Sequence, residues 1–465
     1  MQLLCRVEQI LSELRPAFSR QAAFEWFVVL MWGVLLCSQA PAVTSYLNAV
    51  GLSEYYYHQA LHWFHSRAWS VVKLSLLWQK SLLEHRYLQQ LNSKPVYIGD
   101  GIKISKEGRK MPGVKRLHQE SENLSKKEWI RGHYFGCLSL LLGEANALFA
   151  VPVLLRVQDG LQQRAQQTTT LVEKMADMCV GLAKEGSYIV LDSYFAAGNL
   201  LASFRQHKLH LITRVRINTV GKHPLPPPPA KRGRGKPPIW GKRVKLRTLF
   251  DDPDSFKSET VILYGKLVTV RYRTIDLYWD SPQHLVRFVL TVLPCGKQLI
   301  LLASDLTLNS TEIIMAYGWR FKIEVTFRTL IQLLSGFSYR FWMKALPPSY
   351  RWPKNTILSE FSASKREQIK RKITAIEGFV NLNALALGIL QLLSLEMPAQ
   401  IWRDFPRWFR TLPEHGYPSE QIVRLTLQDR AAPILAKCSP SLLLTKFISI
   451  RLQVAGKPPP ECVTL

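Results

Sequence analysis

The sequence predicts a mixed α/β fold: a strand-and-helix core, interrupted by a β-rich insertion and flanked by helical regions. Three observations predict it. Apolar runs bounded by turn residues occur at 95–104, 133–142 and 147–157, giving three strands in succession. Helical and strand periods then alternate from residue 170 to 215. On either side, in 1–92 and 351–465, apolar and aromatic residues recur at helical spacing. With 465 residues and 47% hydrophobic content, the chain can bury a large core and divide into several domains.

Each element has its own warrant. In the N-terminal region, 45–50 and 54–66 carry apolar residues at helical spacing between short polar breaks. The apolar run 26–37 is too short to cross a bilayer and reads as a buried helix. Pro95-Val-Tyr-Ile-Gly-Asp100-Gly-Ile-Lys-Ile reads as a strand with a carboxylate at its middle, followed by a polar, basic loop over 105–131. The segments 133–142 and 147–157 form a hairpin turned at 143–146. An amphipathic helix over 170–185 ends at Gly186. The strand 187–192 ends on Asp192, then 196–207 reads as helix and 209–215 as strand. Three strands, helix, strand, helix, strand in one mixed sheet is the order of an RNase H-like domain.

A composition break follows. The stretch 221–243 holds prolines 226–229 and Lys231-Arg-Gly-Arg-Gly-Lys236-Pro-Pro, which forbid regular structure there. Strands resume at 261–272, 284–293 and 298–303. Residues 219–297 thus read as a basic, β-rich insertion, and 93–218 with 298–350 as the two halves of a discontinuous core. Asn309 and Glu312 can form a capping box that opens a helix over 311–334. A long helix over 364–396 leads the C-terminal region, a candidate dimerisation element, and the Pro-rich tail after Ala455 is expected to be loose.

Charge narrows the function. Lys and Arg number 61 against 34 Asp and Glu, a formal charge of +27. From Arg205 to Arg247 there are thirteen basic residues and no acidic one. Such a field attracts polyanions, nucleic acid first among them, and a helical bundle with basic edges such as 1–92 is a common way to dock on DNA. A membrane surface is the rival partner, disfavoured because the basic block lies in a Pro-rich insertion and not on an amphipathic helix. No signal peptide is evident. Seven scattered cysteines without a C-x-x-C pair argue against a zinc site or a disulfide framework, so a reducing cytoplasm is expected.

Two carboxylates, Asp100 and Asp192, stand on or at the end of apolar strands, where a carboxylate is costly unless it is paired or binds a cation. Mg²⁺ or Mn²⁺ would relieve their repulsion, and Glu324 on the following helix would complete an oxygen donor set for two ions. Two such ions suit phosphodiester cleavage. Tyr317, Arg320, Glu324 and Arg328 recur on one helix face, placing cations on both sides of the carboxylate, while Ile314, Phe321, Val325 and Leu333 can bury on the other.

At these residues the sequence resembles the insertion-sequence DDE transposases of the cut-and-paste group. Four segments carry the likeness: Gly-Asp100-Gly with Lys106-Glu-Gly-Arg-Lys-Met-Pro-Gly113; Trp129-Ile-Arg-Gly-His133; Val190-Leu-Asp192-Ser-Tyr-Phe; and Ser304-Asp-Leu-Thr through Tyr317-Gly-Trp-Arg320-Phe-Lys-Ile-Glu324-Val-Thr-Phe-Arg328. The last is similar to a Y-x-x-R-x-x-x-E signature, and the likeness spans roughly 90–345. It implies a protein that binds the terminal inverted repeats of its own element. Such a protein cuts them and joins the freed 3′-hydroxyl to target DNA, with catalytic and metal-binding Asp100, Asp192 and Glu324. A homodimer on double-stranded DNA and no membrane partner are implied, with a cytoplasmic location at the nucleoid. The group's signature ends in Lys seven residues after the Glu, where this chain has Ile331. That departure keeps a second reading open, a DNA-binding protein of the same fold that no longer cuts.

Several residues have a plainer reading beside the chemical one. Asp305 sits before a capped helix and reads as a loop aspartate; His133 reads as a strand residue that packs. Lys231, Arg232, Arg234 and Lys236 resemble an arm for a narrow minor groove, or else a solvated linker. Trp240 or Trp279 could stack on a flipped base, though most tryptophans are core.

Overall fold

The structure is a computed structural model that describes residues 2–52, 54–119, 127–144, 147–166, 169–225, 239–281, 283–405, 416–436 and 442–454. Lys231, Arg232, Arg234, Lys236 and the tail from 455 lie outside the described residues.

The core is one mixed sheet of thirteen strands. Its centre is β1 (Lys94–Ser105), which pairs antiparallel with β3 (Trp129–Glu144) and parallel with β5 (Tyr188–Leu191). The short β2 (Lys115–His118) and β4 (Ala147–Val157) both pair with the far side of β3, and β6 (His210–Val215) pairs parallel with β5. The order β4-β3-β1-β5-β6 is the one expected of an RNase H-like core. A hairpin, β7 (Lys257–Leu263) and β8 (Lys266–Tyr278), then continues through β9 (Leu285–Val292) and β10 (Gln298–Ala303) onto β6. The 219–297 segment therefore extends the core sheet edge to edge.

Four local expectations change. The ends of the 221–243 stretch, expected to hold no regular structure, are strands: Val220–Lys222 pairs antiparallel with Arg243–Lys245. The 105–131 loop contains β2, and β3 begins at Trp129 instead of 133. The single strand expected over 261–272 is a hairpin, turned at Tyr264 and Gly265 with φ of 54° and 77°. Positive φ at both central residues matches the right-handed twist of the flanking strands. The helix expected over 311–334 is two helices, α8 (Ser310–Trp319) and α9 (Phe321–Gln332) in the numbering below, broken at Arg320. There the Arg320 N–H donates to Tyr317 O three residues back, a tighter turn that follows the weak helix former Gly318. The break rotates the buried face: Ile323, Phe327 and Leu330 are in the core, whereas Phe321 is 47% exposed.

The helices cover the sheet. The N-terminal set is α1 (Gln2–Glu13), α2 (Gln21–Leu36), α3 (Val43–Ala49), α4 (Tyr57–Trp63) and α5 (Val71–Leu83); α6 (Leu171–Leu182) and α7 (Gly198–Gln206) follow in the core. After α8 and α9 come α10 (Ala363–Glu396), α11 (Pro398–Asp404), α12 (Glu420–Ala436) and α13 (Leu443–Val454). α10 is long and apolar enough to cross a membrane, but its apolar window is wholly buried within the protein. α2, the 26–37 run, packs against α10, α12 and α13, so the two terminal regions form one helical mass.

The free edge of β4 is where sheet and helices lock. An edge strand carries unpaired N–H and C=O groups that must find partners. Asn381 of α10 accepts from Leu155 N at 2.9 Å and donates to Leu155 O at 2.7 Å, and Glu377 accepts from Val157 N at 2.9 Å. Trp78 of α5 donates to Pro152 O at 2.9 Å, and Thr326 of α9 to Ala150 O at 2.8 Å. That last bond pins the helix carrying Glu324 to the sheet carrying Asp100.

Candidate active site

Asp100 sits at the middle of β1, opposite Cys137 of β3. Its neighbours are glycines for a steric reason. A Cβ on Gly99 would lie 2.6 Å from the Leu191 side chain, and one on Gly101 would collide with the Tyr134 ring. The carboxylate accepts from its own Gly101 N–H at 2.7 Å and from Arg320 Nη1 at 3.0 Å. Burial pushes its pKa up to about 6, aided by the charges of Asp192 and Glu324 and opposed by Arg320 and the Gly101 N–H.

Asp192 follows β5 directly, one strand over. It stands at the cap position of the short turn Ser193–Phe195, yet its side chain makes no capping bond. The carboxylate instead faces Tyr317 Oη at 3.4 Å and Arg320 Nε at 3.8 Å. Burial first, then the Asp192 charge, raises the Tyr317 phenol to about 12, so it stays a donor. Glu324, in the first turn of α9, accepts from Arg320 Nη2 at 2.6 Å.

All three predicted carboxylates therefore meet at one guanidinium. Arg320 is 17% exposed and touches Asp100, Asp192 and Glu324 through its three nitrogens. Burial would lower its pKa, but the surrounding carboxylates raise it overall. Among the described residues, no three of His, Cys, Asp and Glu are spaced to hold a metal ion as they stand. The guanidinium fills the space between them. The donor set is still the right chemistry for a hard divalent cation: three carboxylates, all oxygen, gathered around one positive charge and outnumbering it.

The other candidates are placed as follows. Tyr317 and Arg320 line the carboxylates, and Arg328 lies on the exposed face of α9 without an ion pair among the described residues. Ile331 is 43% exposed. Asp305 is buried, accepting from Tyr188 Oη at 2.5 Å and from Thr307 N at 2.9 Å, a fixed loop aspartate. His133 is fully buried between Tyr339 Oη at 2.6 Å and Pro112 O at 2.9 Å, and burial lowers it to about 4. Trp279 packs partly into the core, and Trp240 lies under Lys222 Nζ at 3.5 Å. The inward role of Arg320 was not legible beforehand; the signal for it was three acids and one Arg on a half-buried helix start.

A family model described as DDE superfamily endonuclease matches residues 13–276, more than half of the chain. The match takes in Asp100 and Asp192 and stops before Glu324. No curated protein matches. Among solved structures, one described as a piggyBac transposase synaptic complex with hairpin DNA matches at 14% identity and a TM-score of 0.37, covering 95% of this chain and 82% of that one. On this family match, over more than half of its length, the chain belongs to the DDE superfamily endonucleases.

Proposed function

We propose that the chain is a DNA transposase that binds the ends of its own element, cleaves them and joins them to target DNA. The observation that carries this is the convergence of Asp100, Asp192 and Glu324, far apart in the chain, on the single side chain of Arg320. Asp100, Asp192 and Glu324 are the proposed holders of Mg²⁺ or Mn²⁺, two ions per site, which would supply Lewis acidity to the oxygens of a phosphodiester.

The chain's own residues have separate work. Tyr317 holds Asp192 by its hydroxyl, and Thr326 fixes α9 against β4 so that Glu324 stays over β1. Arg320 offsets the mutual repulsion of the carboxylates and must turn away from at least one of them when they take a cation. Once turned, it stands with Arg328 on the same side as a phosphate ligand. The helical 1–92 region and the basic 219–297 extension are the proposed DNA-docking parts. The discontinuous 93–218 and 298–350 core would do the cutting, and 351–465 would serve dimerisation at the nucleoid.

The test is cleavage of double-stranded DNA carrying the gene's own flanking sequence, with and without Mg²⁺. Wild-type protein should cut only with the cation, and Asp192→Ala should still bind DNA but not cut. Cutting at wild-type rate by Asp192→Ala overturns the assignment. Exposed Ile331, where the resembled signature carries Lys, favours one second reading, a DNA-binding protein that no longer cuts. Binding without cleavage by the wild type would select it.

A further inference from the structure

Away from the carboxylates, the far end of β1 carries a surface that the reading above leaves unused. β2 and β3 pair so that His118 lies opposite Trp129 and Arg116 opposite Arg131. The His118 and Trp129 rings lie 4.7 Å apart. The Arg116 guanidinium is 3.8 Å from the Trp129 ring and 5.1 Å from the Trp352 ring, and Arg351 is 5.7 Å from Trp352. Rings and guanidinium groups thus alternate in a ladder.

The ladder is built, not incidental. The 340s segment is laid along the 106–116 loop by backbone bonds, Met343 N to Lys110 O at 2.9 Å, Ser349 N to Arg109 O at 2.8 Å and Arg116 N to Pro353 O at 2.9 Å. Arg131 braces the same loop, donating to Glu107 O at 2.7 Å, Gly108 O at 3.0 Å and Ser349 Oγ. Held in this way, Tyr350 projects outward with 88% of its surface exposed and Trp352 with 43%. Tyr350 makes no hydrogen bond or ring contact among the described residues. Around them, Arg109, Lys127 and Arg351 are exposed and without ion pairs among the described residues, against two exposed carboxylates, Glu107 in the groove and Glu128, which lies 3.4 Å from His118.

We propose that this surface binds an unpaired, single-stranded stretch of DNA, with Tyr350 and Trp352 as stacking platforms for bases and the flanking cations on its phosphates. The proposal rests on the DNA reading given above. Duplex DNA presents phosphates and base edges, which would leave two exposed rings idle; an unpaired base presents a π-face that fits them. Preorganised side chains lower the ordering cost of binding. The location suits an endonuclease: Ser105 ends the strand that carries Asp100, about 17 Å away at about 3.4 Å per residue. That is roughly five nucleotide steps of B-form DNA, the reach of a strand freed beside the cut.

The test is fluorescence anisotropy with two labelled probes, an oligothymidylate and a duplex of equal length, against wild type, Tyr350→Ala, Tyr350→Phe and Arg351→Ala. Exposed Tyr350 can be changed without touching the core. Tyr350→Ala should weaken the single-stranded probe by about tenfold, with Tyr350→Phe near wild type and duplex affinity within about twofold. Arg351→Ala should weaken the single strand and flatten its salt dependence. Normal duplex binding with unchanged single-strand affinity in Tyr350→Ala overturns the platform alone, as does equal loss on both probes. Wild type that binds neither probe overturns the DNA reading and the platform with it.

Discussion

Two of the clusters that join arginine to carboxylate among the described residues are balanced in opposite ways. In the first, Glu396 at the end of α10 receives Arg6 Nε at 2.7 Å and His85 Nε2 at 2.8 Å, one carboxylate between two basic groups. Burial alone would raise its pKa, but the bonds and charges of Arg6 and His85 hold it at about 2. In the second, one guanidinium serves three carboxylates, and burial with the two like charges leaves Asp100 at about 6. The first cluster is what folding stability selects: it ties α1, the segment just after α5 and α10 together. The second is short of positive charge by design of the sequence. A surplus of carboxylates around a buried one, Asp100, is costly and marks a candidate binding site.

That contrast can be broken or sharpened by substitution. The largest effect is on chemistry: Asp192→Ala, Asp100→Ala or Glu324→Ala should each reduce DNA cleavage below detection while the fold survives, checked by circular dichroism beside a nicking assay. Next is stability in the balanced cluster. Glu396→Ala should cost about 3 kcal/mol in urea unfolding, because it strands Arg6 and His85 half-buried. Asp100→Asn should be neutral or stabilising, since it removes a like charge from the crowded site. Equal losses from the two would erase the distinction.

The pH dependence has a definite sign. The folded-state pKa of Glu396 is lowered from 4.5 to about 2, so its contribution is present above pH 4.5 and is lost as pH falls towards 2. Its size is about 3 kcal/mol by linkage. Acid titration of wild type against Glu396→Gln should show the variant lacking that part of the slope. The smallest effect concerns the outer face of α9: Ile331→Lys should steepen the salt dependence of DNA binding by about one unit of slope. No change would place Ile331 away from the DNA path.

How much of this was readable beforehand follows from the range of the forces involved. Asp100 and Asp192 are legible because a carboxylate on or at the end of an apolar strand is conspicuous locally, and Glu324 because Tyr317, Arg320 and Arg328 recur about it at helical spacing. The break at Arg320 is not, because the apolar period runs through it and Gly318 costs only about 1 kcal/mol. The Tyr264–Gly265 turn is not legible because Tyr is a poor residue for positive φ, so 261–272 reads as one strand. Sheet continuity from β8 to β6 and the capping of the β4 edge by Asn381 and Glu377 depend on partners up to 226 residues away, which no local pattern encodes. The ladder of Arg116, Trp129 and Trp352 is hidden for the same reason, although Trp129 lies in the distinctive segment Trp129-Ile-Arg-Gly-His133.

The most direct test of the central claim is calorimetric Mn²⁺ binding to wild type, Arg320→Met and Asp192→Ala in the absence of DNA. If Asp100, Asp192 and Glu324 form a cation site with Arg320 seated in it, Arg320→Met should bind Mn²⁺ more tightly than wild type and Asp192→Ala should lose binding. Binding that is absent in Arg320→Met, or unchanged in Asp192→Ala, would contradict it.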